Sequence, residues 1–325
     1  MLDHSADEVQ IAFPNYTVSL SSTPVVRAVR ALLPHLEVGA ERDSVVEEVA
    51  SATSLEPDFV RYVVKILESS RCLYGSGKEN ELLDRRASFD ALLGDDVAET
   101  HRRLAETKVL VIGASGIEQA GNAVADAGLS VDVVELEPGT TIEKASSLVG
   151  AALDAGPDLA IAWGFPYRLP FARMLNDVAL ERRARVLFGV CEGIVGRVGP
   201  YVMPGNTACL ECANLRFLAN AGGPELKAVS AHRVTLGDRL PDPWPAHPLF
   251  EGAVARFLAL EAAQIAGGLP PSTIDAILEY SYPQGFVERR PVLRVPRCPS
   301  CRPRRPQRLA WDVRFGASEI KKVPE

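Results

Sequence analysis

No apolar run in the chain comes near the roughly eighteen residues that a bilayer crossing needs. The first ten residues, MLDHSADEVQ, are acidic where a secretory signal would be basic and then apolar. Neither a membrane span nor an export signal is expected, and a cytoplasmic setting is. Histidine is scarce too. His4, His35, His101, His232 and His247 are scattered, with no serine or cysteine at a recognisable spacing, which leaves no basis for a nucleophile and base pair. Basic charge is thin in the first hundred residues, which hold 18 of the 42 acidic residues and 9 of the 35 basic ones. That balance argues against a nucleic-acid arm. What is present is 325 residues at 47% hydrophobic content, enough for two cores.

Four of the six cysteines fall in two C-x-x-C pairs, Cys209 with Cys212 in TACLECAN and Cys298 with Cys301 in RCPSCRP. Each pair brings two thiolates into reach of one ion, and two pairs complete the tetrahedron that Zn2+ accepts without strain. Two disulfides are the competing reading, disfavoured where thiols are kept reduced. With sulfur at all four positions no place remains for water, so the expected zinc is structural and ties the end of the chain to its middle. Cys72 and Cys191 stand alone, and Cys191, following a buried strand, reads as a small core residue.

The chain divides near residue 100. VQIAF and YTVSLSS alternate at period two, and PVVRA is a third candidate extended piece. Helical patterns follow over Val29–Leu36, Asp43–Ala52 and Pro57–Leu67, which together suggest a small winged-helix-like α+β domain over 1–76. A charged helical connector is expected over 77–106. From residue 107 the texture becomes α/β. Strands KVLVIG, SVDVVELE, DLAIAWG and RVLFGV alternate with helices Ile117–Ala127, Ile142–Leu153 and Leu169–Arg183, the pattern of a parallel sheet. IVGRVGPYVMP reads as an antiparallel extension, and HPLFEGAVARFLALEAAQIAGGL as a helix stopped by glycines. LGDRLPDPWPAHP reads as a loop.

In VLVIGASGIEQAG an apolar strand turns through glycines into a helix, the arrangement that aims helix-terminal amides at a phosphate in Rossmann-type folds. Together with ELE, GIVGRVGPYVMPGNTACLEC, EGAVARFLALEAAQIAGG and PVLRVPRCPSC, it resembles the ThiF-like, ubiquitin-activating-enzyme-like superfamily over roughly 108–303. The N-terminal pattern and the PVLRVPRCPSC ending are similar to leader-peptide-binding cyclodehydratase partner proteins of azole-containing peptide natural products. In those, a PqqD-like RiPP recognition element precedes a Rossmann-like ThiF-type domain.

The resemblance implies a degenerate nucleotide loop. Where active members carry G-x-G-G-x-G, the matching run is Gly113-Ala114-Ser115-Gly116-Ile117-Glu118. Ser115 adds a side chain where bare backbone should meet phosphate, and Glu118 puts a carboxylate in the first helical turn, as a repelling charge or as an ordinary helix-stabilising acid. Glu135 or Glu137 could still accept a ribose hydroxyl, but the phosphate-gripping asparagine and arginine-glutamine motif has no counterpart. The magnesium-binding aspartate falls near Trp163-Gly164, and Asp158 reads as a capping or surface acid. No ATP is expected, and no crossover thiol is present to accept an acyl group.

The resemblance further implies that a precursor-peptide leader adds as a strand to the small sheet. The candidates are Val25, Val26 and Arg27 on an edge strand with Phe59, Tyr62, Val63 and Ile66 on the third helix; the winged-helix core competes for Phe59 and Val63. Arg61 and Lys65 are candidates for recruiting acidic leader residues. A separate YcaO-type partner would perform the ATP-dependent cyclodehydration of Cys, Ser or Thr, with the basic tail 304–325 as a docking candidate or a solvated tail. A homodimer is expected by analogy alone. Two other enzymes remain open, a ThiF/MoeB-like adenylyltransferase and a nicotinamide-dependent Rossmann enzyme, together with a DNA-binding winged helix that the acidic first third weighs against.

Overall fold

The sequence alternation near the N-terminus becomes three short strands, β1 (Leu2–Ser5), β2 (Glu8–Ala12) and β3 (Thr17–Ser21), paired antiparallel in that order. The computed structural model describes residues 2–5, 7–12, 17–70, 72–73, 97–114, 116–220, 222–223, 239–241, 246–282 and 284–302. Three helices follow the strands: α1 (Thr23–Val38), α2 (Arg42–Thr53) and α3 (Pro57–Ser69). Glu41 caps α2 by accepting from Ser44 N–H at 3.1 Å, and Pro57 opens α3 at a position where a missing N–H costs nothing. Their apolar stripes meet in a valine-rich core of Val9, Val26, Val29, Val46, Val60 and Val63 with Leu32 and Leu67. Each buried side chain of this size stabilises by about 1.5–3 kcal/mol.

The expected edge strand at PVVRA is corrected. Val25, Val26 and Arg27 lie in the first turns of α1, where Pro24 opens the helix and Val26 N–H donates to Ser22 O at 2.9 Å. The apolar spacing Val25, Val26, Val29, Leu32, Leu33 is helical, and burying that stripe outweighs the local β-propensity of two valines. Val26 is 1% exposed, so its side chain is core.

The chain splits into two compact units, Met1–Arg103 and Leu104–Glu325. Of the charged connector, α4 (Val97–Glu106) is observed, and 77–96 lies outside the described residues. The second unit is a mixed seven-stranded sheet in the order β10-β9-β8-β7-β6-β4-β5. β4 (Lys108–Gly113), β5 (Ser130–Glu135), β6 (Leu159–Trp163) and β7 (Val186–Glu192) are parallel. Between them run α5 (Ile117–Asp126), α6 (Ile142–Asp154) and α7 (Pro170–Glu181), as the sequence alternation implied. β8 (Val195–Val202) turns back antiparallel on β7. α8 (Leu210–Asn220) and α9 (Pro248–Ala266) follow, the latter ended by Gly267 and Gly268. A hairpin of β9 (Ala276–Ser281) and β10 (Phe286–Pro291), unassigned from the sequence, completes the sheet. Asp158 is structural: its carboxylate accepts Lys108 N–H at 2.9 Å. No helix of the described residues is long and apolar enough to cross a membrane.

Because β4 pairs with β5 on one side and β6 on the other, the direction of strand order reverses at β4. The crevice beyond the C-terminal ends of β4 and β6 is where open α/β sheets take ligands. Of the loop expected over LGDRLPDPWPAHP, residues 239 and 246 form isolated bridges to Thr141 and Gly193, and 236–238 and 242–245 lie outside the described residues.

Candidate functional site

Cys209 precedes α8 and Cys212 sits in its first turn, and that turn is held in place by side-chain acceptors from elsewhere in the chain. Asn176 on α7 accepts Leu210 N–H at 3.0 Å, and Asp275 accepts Ala208 N–H at 2.6 Å. Cys298 and Cys301 come from the turns after β10, where Cys298 N–H donates to Val295 O at 3.1 Å. The sulfurs meet at 3.8 Å (Cys209 to Cys212), 3.6 Å (Cys209 to Cys298) and 3.6 Å (Cys212 to Cys301), and all four lie within 4.8 Å of one another. A disulfide would require about 2.05 Å. Four sulfurs about 2.3 Å from a tetrahedral ion stand about 3.8 Å apart, so the geometry fits a zinc-sized ion and not cystine. Val295 N–H donates to Cys212 Sγ at 3.3 Å, and hydrogen bonds from the other three thiols pull the Cys212 thiol well below its ordinary range, toward the thiolate that ligates a metal.

At the crevice, Gly113 ends β4 in register with Glu135 and Trp163. A Cβ there would meet Trp163 O at 2.9 Å, so glycine is required for the strands to close. Gly116 is left-handed (φ 64°) and caps α5 without a side-chain acceptor. Ser115 lies outside the described residues. Glu118 is exposed on α5, as are Glu135 and Glu137, while Leu136 between the two acids is buried and donates its N–H to Gly113 O at 2.8 Å. The carboxylate against the turn belongs to Glu251 in the first turn of α9, which the sequence reading did not single out. A Cβ on Gly116 would lie 2.5 Å from the Glu251 carboxyl carbon and 3.1 Å from Oε2. Burial raises the Glu251 carboxyl above its ordinary range.

Cys191, 6% exposed on β7, has its thiol pushed up to about 12 by burial and then by the charges of Glu251 and Glu192. That thiol is a buried core group, as expected. Next to it, Arg197 pairs with Glu192 and with Glu279 at 2.9 Å, and Arg290 joins Glu279 at 2.8 Å, binding β7 through β10 by charge. A pocket of about 240 Å³ opens there between Tyr167, Arg168, Glu192, Val195, Arg197 and Phe217, with the Arg168 guanidinium 5.9 Å over the Phe217 ring. Its residues come from β7, β8, α8 and the loop before α7, so no local motif announces it.

In the first unit the expected peptide-binding residues divide. Val63 is 0% exposed and Phe59 packs against the core, whereas Tyr62 is 59% exposed and Ile66 half-buried. Arg61 pairs with Asp58 at 2.5 Å, Lys65 is exposed, and Arg27 reaches Thr53 O at 3.4 Å. β3 pairs with β2 on one side, and among the described residues no strand covers its other edge.

No family model and no curated protein matches this chain. Solved structures do. The heterocyclase TruD is 19% identical with a TM-score of 0.69, over 91% of this chain and 41% of TruD. E. coli MccB with ATP is 11% identical with a TM-score of 0.62, over 90% of this chain and 94% of MccB. The microcin C7 biosynthetic enzyme MccB in complex with N-formylated MccA is also 11% identical, with a TM-score of 0.60. The fold is ThiF-like. The chain spans about two fifths of the length of TruD, so a ThiF-like scaffold is what the likeness establishes.

Proposed function

We propose that this chain binds the leader of a ribosomally made precursor peptide and presents it to a separate YcaO-type cyclodehydratase, without adenylating anything itself. The observation that carries the reading is the state of the nucleotide turn, where the ThiF-like fold persists but a carboxylate of the same chain lies against Gly116. The magnesium-binding acid is also absent: Trp163-Gly164 stand where it would be expected. The likeness to a heterocyclase, and to an MccB solved with the peptide MccA, supports a peptide substrate. Strand addition at the open edge of β3 would supply generic affinity, with Tyr62 and Ile66 on α3 as the apolar contacts that select the sequence. Zn2+ at the four cysteines would be structural, holding the α8 turn to the chain after β10. The tail 304–325, outside the described residues, is the proposed docking segment for the partner.

Titrating labelled candidate leaders against the full chain tests this reading, with micromolar binding expected that weakens about tenfold or more on Tyr62→Ala. Binding undiminished in Tyr62→Ala would remove α3 from the site. Deleting 304–325 is expected to weaken association with the partner. The likeness to an MccB solved with ATP keeps one second reading, an adenylyltransferase. It requires ATP–pyrophosphate exchange from the wild-type chain, and that result would displace the binder reading.

A further inference from the structure

α9 lies on its half of the sheet through three residues at helical spacing, Glu251, Val254 and Leu258, and each rests on a glycine. Leu258 fills the space above Gly189, where a Cβ would also meet the Trp163 ring at 2.8 Å; Val254 fills the space above Gly196, with its Cγ1 3.1 Å from a Cβ position. Glu251 continues the same stripe onto Gly116. Gly196 and Cys191 are register partners, so the glycines and the thiol face the same helix. The contact is therefore seated by packing, because a side chain at any of the three glycines would lift the helix. No hydrogen bond or ion pair to the Glu251 carboxylate is formed by the described residues, although it is half-buried. An acid placed so would ordinarily be destabilising. What it faces is the N-terminal end of α5, whose first-turn amides have no side-chain acceptor from the cap residue and carry the positive end of the helix dipole.

We infer that Glu251 is a tethered anion filling the phosphate seat of the ThiF-like turn, and that it, more than Glu118, shuts the crevice to a nucleotide. This rests on the reading of the turn as a seat that has lost adenylation. A triphosphate entering beside Gly116 would meet the carboxylate's bulk and its charge together. The arrangement is a built-in autoinhibitory contact, fixed by packing from a helix far along the chain.

The test uses the full chain as wild type, Glu251→Ala, Glu251→Gln and Glu118→Gln, with inorganic pyrophosphate and magnesium-ATP as probes in equilibrium dialysis. Glu251→Ala is expected to bind pyrophosphate at least about tenfold tighter than wild type, with Glu251→Gln between them and Glu118→Gln unchanged. If Glu251→Ala and wild type bind alike, or if Glu118→Gln alone opens the seat, the inference is overturned. Should the alanine variant fail to fold, the isosteric glutamine carries the dialysis measurement with both probes. Wild-type protein that holds ATP and exchanges pyrophosphate would sink the non-adenylating reading; wild type and Glu251→Ala both inert would sink this inference alone.

Discussion

Burial holds the Glu251 carboxyl above its ordinary range, and the sign of that shift sets a pH response. A carboxyl whose folded value is raised binds its proton more tightly in the native state than in the unfolded chain. Its contribution is therefore favourable at low pH and is lost as pH rises through the carboxylate range. Glu251→Gln should melt a few degrees above wild type at pH 7 to 8, and the gap should close as pH falls toward 4; a gap independent of pH would show that charge is not its cause. Glu211 presents the opposite case. It is 2% exposed yet bonded twice by Arg173, through Nε at 3.0 Å and through Nη2. Arg173→Met strands that carboxylate and should cost about 3 kcal/mol in a denaturant titration. Neither acid is distinguishable from a surface glutamate in the sequence, since the surroundings of each come from another element.

Helices and strands were legible to the extent that their own periodicity carried the signal. α2, α3, α6 and α9 start and stop within a few residues of expectation because caps, prolines and glycines act locally. PVVRA misled because two adjacent valines satisfy a strand or a helix, and only the stripe continuing to Leu32 and Leu33 decides between them. The seating of α9 on Gly189 and Gly196 is a contact between elements and leaves no periodic trace. Gly196→Val should therefore destabilise strongly, by about 3 kcal/mol, because it drives a branched side chain into Val254. A Gly196→Val protein with unchanged denaturant midpoint would show that α9 is free to shift.

Across the whole molecule, the two units and the cysteine cluster set how it comes apart. The four thiols join the α8 turn to the residues after β10 inside the second unit only. If Zn2+ fills the cluster, chelation or Cys298→Ser should lower the melting of that unit and leave the transition of Met1–Arg103 where it was. Calorimetry with and without chelator separates these outcomes, and a common shift of both transitions would count against a zinc role confined to one unit. By itself the sequence determined the alternation of strands and helices, the glycine turn after β4 and the four thiols that could hold a metal. Short-range sterics and fixed ligand spacing write these into neighbouring residues. Only the tertiary structure decided that PVVRA is helical, that β9 and β10 extend the sheet, and that Glu251 stands against Gly116. Those outcomes depend on which surfaces are buried against one another by residues distant in the chain, and burial is a property of the folded whole.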